Sequence, residues 1–362
     1  VKQLTGIVQL IDSLEAGGAE RMAVNIANAL ALRGLPSSLM LTRKEGMLKA
    51  QLHPQVKYVF LNKKYTLDLA AVCKARKFIV TNNIAILHAH TTSWFFAVLL
   101  KITKPSLKLI WHDHYGKSEQ LSNRPLIGLK WAALFFDSCI AVNGALKEWI
   151  QYKLKHPKVF IINNFSLNNA SEIKQTILKG KNEKRILCLA NLRPQKDHLN
   201  LLKSFKIINE IYDDWTLHIV GLDFKDHYSQ ELKKHIKKNR IDNHVFFYGS
   251  CPDTEYILSQ ASIGVLSSDS EGLPLALIEY GLANLGVVVT DVGDCCELIE
   301  NGTNGFLVQP KNAAVLAEKL IALIENKEMR LEMGKELHNN VMELYSKEKA
   351  INQLISLYRS LD

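Results

Sequence analysis

Two glutamates eight residues apart carry the strongest chemical signal in this chain. Glu271 and Glu279 lie in the segment SSDSEGLPLALIEYGLANLGVVVTDVGDCCELIENGTNGFLV, Ser267 to Val308. Glu271 falls in a Gly-Pro loop behind an apolar run, and Glu279 inside a helix expected to begin near Pro274. The turn Gly272-Leu273-Pro274-Leu275 leads into that helix, whose first N–H groups and positive dipole end suit a phosphate. Carboxylates beside such a helix start suit sugar and ribose hydroxyls, because each oxygen can accept from a diol. A blander account takes one glutamate as favoured by the helix dipole and the other as solvated. It explains either residue singly and the loop-helix setting poorly.

Three other groupings could join them. LCLANLRPQKDH places Arg193 and Lys196 just past an apolar run, with Pro194 setting the turn. Two cations there can neutralise a diphosphate, arginine by bidentate contact and lysine as a point charge. EAGGAERM places Gly17 and Gly18 between the first apolar run and an amphipathic stretch, so that backbone can approach an anion at a helix start. Many such turns are only tight turns, and Ala16 and Ala19 break the G-x-G-x-x-G pattern of nicotinamide enzymes. ILHAHTTS and LIWHDHYG carry His88, His90, His112 and His114, each pair on one face of an extended segment. Four histidines could bind a metal, but no carboxylate or thiol partner has the spacing to support that. Contact with a hydroxyl-rich substrate, a proton shuttle and plain hydrogen-bonded histidines remain open readings.

The elements that must position these residues alternate from end to end. Gly6–Ile11, Ser37–Leu41, Val56–Leu61, Ile84–His90, Leu107–Trp111, Ser138–Val142 and Val159–Ile162 read as strands. The polar stretch KGKNEK, Lys179–Lys184, marks a turn or linker, and the pattern then restarts. Arg185–Ala190, Thr216–Val220, His244–Tyr248, Ile263–Leu266, Val287–Thr290 and Phe306–Val308 are the second set. Continuous β-branched runs with helical segments between them imply parallel sheets covered on both faces. The expected class is α/β, two doubly wound Rossmann-like domains facing across a cleft. They would span 1–166 and 167–345, with a helix over 346–362 crossing back to the first. Ligands of such sheets bind at the carboxyl ends of strands, where all the groupings above fall.

Composition narrows the class further. The 362 residues suit about two domains, and 47% hydrophobic residues rule out disorder. The longest stretch free of charged residues, Phe78 to Leu100, is broken by asparagines, histidines and hydroxyls, so no membrane span is expected. Val1 to Leu10 reads as a strand rather than a secretion signal. Six cysteines without a C-x-x-C pair suggest no zinc site and a reducing, cytoplasmic setting. The net charge of +9 is uneven, being +13 over residues 1–166 and −4 beyond. A basic first half suggests an anionic surface, with the inner face of the cytoplasmic membrane and nucleic acid as candidates; the alternative is a solvated lysine-rich face. Lys63, Lys64, Lys74, Arg76, Lys77, Lys101, Lys104 and Lys108 form the run in question.

The chain resembles, over nearly its whole length, the retaining family-4 glycosyltransferases with the GT-B fold. The hallmark is a glutamate, seven residues and a second glutamate, here EGLPLALIE from Glu271 to Glu279. GGAER, VNG, FIINNF, LRPQK, HIVG and ELIENGTNGFLV complete the set in order. The resemblance implies a hexosyl- or N-acetylhexosaminyl-transferase using a UDP- or GDP-sugar as substrate, with no cofactor and no metal. Its acceptor would be a glycan or lipid-linked sugar of a cell-surface polysaccharide, with no nucleic acid involved. By motif, Glu279 would hold the ribose, Glu271 the sugar hydroxyls, and Lys196 with Arg193 the diphosphate. Gly17 or Gly18 would approach the diphosphate from the other domain, and His112 would sit at the reacting sugar. Two departures stand out. Asn191 occupies the family's usual arginine position, leaving Arg193 two residues on, and LDFKD replaces the glycines usual after IVG. A GT-B sugar-nucleotide epimerase is the alternative with the same fold.

Overall fold

The computed structural model describes residues 5–15, 17–115, 121, 124–165 and 174–362. Ala16 and the expected boundary at 166–167 lie outside the described residues. The chain divides into unit 1, residues 1–167 with 347–362, and unit 2, residues 168–346.

Unit 1 alternates β1 (Gly6–Ser13), α1 (Gly18–Leu32), β2 (Ser37–Lys44), β3 (Lys57–Phe60), α2 (Leu69–Thr81), β4 (Ile84–His90) and α3 (Trp94–Thr103). It continues through β5 (Lys108–Asp113), α4 (Ile127–Ala132), β6 (Ser138–Ala141), α5 (Gly144–Trp149) and β7 (Val159–Ile161). The seven strands are all parallel in the order β3-β2-β1-β4-β5-β6-β7. The two-residue period of a strand sends alternate side chains to opposite faces. Val8, Leu10, Leu87, Ala89, Leu109 and Trp111 join one apolar cluster with α2 and α3 residues. Gln9, His88, His90 and His112, at the intervening positions, are therefore on the other face, and all are wholly buried.

Unit 2 runs β8 (Arg185–Leu189), α6 (His198–Ile211), β9 (Thr216–Val220), α7 (His227–Lys238), β10 (Val245–Gly249), α8 (Thr254–Ser259) and β11 (Ile263–Leu266). It closes with α9 (Leu275–Leu282), β12 (Gly286–Thr290), α10 (Cys295–Leu298), β13 (Phe306–Val308), α11 (Ala313–Glu325) and α12 (Lys327–Leu344). Its sheet is parallel in the order β10-β9-β8-β11-β12-β13. The order reverses direction at β8 and β11, so the loops after those strands diverge and leave room for a ligand.

The last helix, α13 (Lys347–Leu361), belongs to unit 1. Ile351, Leu354, Ile355, Leu357 and Tyr358 form its buried stripe at helical spacing. Asp362 anchors its end by accepting hydrogen bonds from the backbone N–H (3.3 Å) and hydroxyl (2.6 Å) of Thr5.

Both sheets are the parallel ones the apolar runs imply, and the strands fall where those runs lie. Ends differ where polar residues continue the ladder: β2 runs on to Lys44 rather than stopping at Leu41. A backbone amide does not need an apolar side chain to pair with its neighbour.

Candidate functional site

Lys196 and Glu271 are 75 residues apart and meet at the carboxyl ends of β8 and β11. The Lys196 Nζ is 2.5 Å from Glu271 Oε1, and Ser268 Oγ donates to the same oxygen at 2.6 Å. Main-chain ties between the two loops impose the meeting. Asp269 N donates to Gln195 O at 2.8 Å, and Ser267 Oγ reaches the carbonyls of Lys196 and Asp197, both at 3.1 Å. Thr290 Oγ1 holds Ser268 O at 2.7 Å from β12. Asp197 takes a left-handed backbone, φ 43°, and its carboxylate accepts from Asn200 N, which starts α6. Burial and the Lys196 charge push His198 down to about 4, so that neighbour stays uncharged near neutral pH.

Gly293 fixes the backbone beneath Glu271. Its φ is +55°, and a Cβ there would lie 2.3 Å from Glu271 O and 2.7 Å from Gly272 O. Only glycine adopts that conformation without strain and allows so close an approach. The turn Gly272-Leu273-Pro274 then enters α9 at Leu275, where Pro274 is the capping residue and makes no side-chain cap. Glu279 lies within α9 and is, like Glu271, buried.

Arg193 does not join Lys196 and Glu271. It is exposed, and its guanidinium sits 5.0 Å from the centroid of the Phe224 ring. Asn191, at the position where an arginine was expected, accepts from Leu222 N at 2.8 Å through Oδ1. Leu192 N donates to Leu222 O at 3.0 Å. The two departures in the sequence are thus one structural feature. The bulkier loop after β9 is tied down by Asn191, and its Phe224 supports the displaced arginine.

In unit 1, α1 opens with Gly17 as capping residue in extended backbone, φ −139°. The Glu20 carboxylate folds back on it, since a Cβ on Gly17 would meet Glu20 Oε2 at 2.1 Å. A side-chain carboxylate therefore sits at the helix start where a phosphate was expected, beside Gly17 and Gly18. The same dipole favours either anion.

The four histidines form one hydrogen-bonded group at the ends of β4 and β5. His88 Nε2 and His112 Nδ1 are 3.1 Å apart, and His90 Nδ1 and His114 Nε2 are 3.0 Å apart. Tyr358 of α13 contacts His88 Nδ1 at 2.7 Å, and Gln9 Oε1 contacts His90 Nε2 at 2.9 Å. Burial drives His88 and His114 down to about 3 and holds His90 and His112 well below the usual range. His112, expected at the reacting sugar, has no exposed surface, and its Nε2 is a buried atom without a partner. His114 is the one of the four with part of its surface open. Among the described residues, His88, His90 and His112 also form a group with metal-ligand atoms within 4.8 Å of one another.

Sequence reasoning passed over Ser268, Gly293, Gln9 and Tyr358. Ser268 and Gly293 stand inside the quoted glutamate segment, so proximity was available as a signal. Gln9 and Tyr358 carry none, because a strand residue and the last helix meet the histidines only in three dimensions.

The sequence model described as Glycosyltransferase Family 4 matches residues 16–165, and that described as Glycosyl transferases group 1 matches residues 169–339. An uncharacterized glycosyltransferase of Haemophilus influenzae is 27% identical over 355 residues, 96% of each chain. The UDP-Gal:alpha-D-GlcNAc-diphosphoundecaprenol alpha-1,3-galactosyltransferase of Escherichia coli is 23% identical, over 80% of this chain and 79% of its own. Among solved structures, Anabaena HepE in complex with UDP and glucose superposes with a TM-score of 0.82 at 20% identity. That match covers 98% of this chain and all of HepE.

Proposed function

The chain belongs to the glycosyltransferases, with a family 4 domain ahead of a group 1 domain, and from that premise we propose a retaining, metal-independent hexosyl- or N-acetylhexosaminyl-transferase. In this reading the donor is a UDP- or GDP-sugar, and the acceptor is a hydroxyl of a glycan or lipid-linked sugar in cell-surface polysaccharide synthesis. Unit 2 takes the donor and unit 1 the acceptor. The carrying observation is the junction of Lys196, Glu271 and Ser268 next to the start of α9. A buried carboxylate paired to an ammonium is set to accept from sugar hydroxyls, while the ammonium neutralises the leaving diphosphate. Glu279 accepts from the ribose diol, and the first turn of α9 adds N–H groups toward phosphate. HepE bound to UDP and glucose supports UDP as the nucleotide. The E. coli relative's lipid-diphosphate acceptor supports a lipid-linked one.

The reaction is front-face displacement. The acceptor oxygen forms its bond to the anomeric carbon as the bond to the diphosphate breaks, on the same face. The acceptor proton passes to the departing phosphate oxygen. Catalysis is then positioning and charge stabilisation, with Lys196 as the principal cation and Arg193, stacked on Phe224, a secondary one.

Contact with an anionic membrane is part of the same reading, through the exposed members of the lysine run, Lys64, Arg76 and Lys77, and an apolar face on α4. Lys63 is buried against the Phe96 ring, and Lys74, Lys101 and Lys104 donate to backbone carbonyls. A charge so engaged is a poor ligand for lipid headgroups. Ile127, Trp131 and Leu134 are instead 84%, 71% and 75% exposed. They share one face along α4 and the turn after it, with Lys130 among them, a pattern that suits an interfacial helix.

The test is transfer from UDP- and GDP-sugars to a lipid-diphosphate sugar, with the product anomer read by NMR. An α-linked product from an α-linked donor supports retention, and an inverted anomer overturns it. Flotation with anionic vesicles, lost in high salt and in Trp131→Ala, supports the membrane contact. Equal failure with anionic and neutral vesicles at low salt overturns that part alone.

A further inference from the structure

We propose that one directional chain of hydrogen bonds, His114–His90–Gln9–Tyr358–His88–His112, holds all four histidines as Nε2–H tautomers and leaves His114 Nδ1 as an acceptor for a substrate hydroxyl. Tyr358 and Gln9 are its positioning residues. This rests on the glycosyltransferase reading for the identity of the hydroxyl, and on geometry alone for the tautomers.

The direction follows from counting protons. A neutral imidazole has one N–H and one lone pair, so fixing one nitrogen fixes the other. Tyr358 has a single O–H and lies 2.7 Å from His88 Nδ1. That distance is typical of an O–H donor and short for an N–H donor. Tyr358 therefore donates to His88 Nδ1, and His88 Nε2–H donates to His112 Nδ1. His112 then carries its proton on Nε2, the buried atom without a partner. On the other arm, Gln9 Nε2 donates to Tyr358 Oη at 3.5 Å, and its Oε1 accepts from His90 Nε2–H. His90 Nδ1 accepts from His114 Nε2–H. The lone pair of His114 is left on Nδ1, in the one residue of the four that is not fully buried. Reversing the chain would put all four protons on Nδ1 and leave the Tyr358 hydroxyl to donate across the 3.5 Å gap, the weakest link.

Burial keeps these rings uncharged near neutral pH, so the tautomer is what the site can use. A conjugate acid as strong as that of His114, at about 3, makes it a weak base. It orients a hydroxyl rather than removing its proton, in agreement with a proton that leaves on phosphate. Consecutive bonds pointing one way also polarise one another, which strengthens the chain as a unit. The sugar-side histidine is then His114, and His112 is its buried terminus.

Ring 15N shifts of histidine-labelled protein, assigned by single substitutions, read the tautomers directly and need no substrate. All four protons on Nε2 is the expected result, and a proton on Nδ1 of any of the four overturns the proposal. Tyr358→Phe should release only His88 and His112 into mixed tautomers. Gln9→Met should release His90 and His114, and raise KM for the sugar substrate about tenfold, the scale of one hydrogen bond. Tyr358→Phe, which bears on His114 only through Gln9, should raise that KM less than Gln9→Met does. Equal KM effects in the two variants would overturn the role of His114. A wild-type protein with the expected tautomers but no donor binding would instead sink the glycosyltransferase reading.

Discussion

Glu271 and the histidine group bury polar chemistry by opposite means. In unit 2 the buried Glu271 carboxylate is paired with the Lys196 ammonium and accepts from the Ser268 hydroxyl. In unit 1 burial keeps four imidazoles neutral, and they meet one another in two hydrogen-bonded pairs. A charged pair responds to charge that develops during a reaction, such as that on a leaving diphosphate. A neutral network cannot, but it holds donors and acceptors in fixed directions. On the proposed reading the difference divides the work: stabilising charge belongs to unit 2, and orienting hydroxyls to unit 1.

The comparison breaks most readily at its charged side. Lys196→Ala strands a buried carboxylate and removes the principal cation, so kcat should fall about 10²- to 10³-fold, more than for any single histidine substitution. Steady-state kinetics with circular dichroism to check folding would show it. A fall under about fivefold would mean that Lys196 only supports the fold.

Gly293→Ala tests whether the loop, and not merely the charge, places Glu271. A Cβ 2.3 Å from Glu271 O forces that loop to move, so turnover should fall about 10²-fold with Lys196 and Glu271 both present. Unchanged turnover would separate the Glu271 position from the Gly293 turn.

Acid should part the two regions. The folded pKa of His88, about 3, lies below its usual 6.5. The unfolded chain therefore binds the extra proton between those values. The His88 contribution to stability is full above 6.5 and is lost as pH falls toward 3. At pH 5 the loss from His88 alone is about 2 kcal/mol, and His114 adds in the same direction. Four of the five tryptophans, Trp94, Trp111, Trp131 and Trp149, lie in unit 1, so their fluorescence reports that unit. Their unfolding midpoint in denaturant should drop between pH 7 and pH 5. A flat profile would mean that the buried imidazoles are already charged and compensated.

The smallest effect belongs to Arg193. Its exposed stack on Phe224 is worth about 0.5–1 kcal/mol, so Phe224→Ala should change donor KM about two- to fivefold. A change above about twentyfold would place Arg193 beside Lys196 as an equal partner.

The strands, their parallel pairing and the glutamate segment could be read directly from the residues, because each is a local property. Runs such as GIVQLIDS and IGVL bury both faces of a strand wherever they fold. Gly272 to Leu275 starts a helix by its own backbone preferences. Glu271 and Glu279 belong to that one segment, so their shared setting was legible too. Tertiary structure alone decided which distant groups complete each site. Arg193 lies three residues from Lys196, and the direction it takes is set by Phe224, on a loop after another strand. His112 and His114 differ by one strand period, yet one is sealed and the other partly open. Tyr358 reaches His88 across 270 residues of chain, through a helix whose sequence declares only its apolar stripe. Apolar spacing says that such a helix must be covered. What it covers, and which hydroxyl it delivers there, depends on packing between segments that share no local pattern.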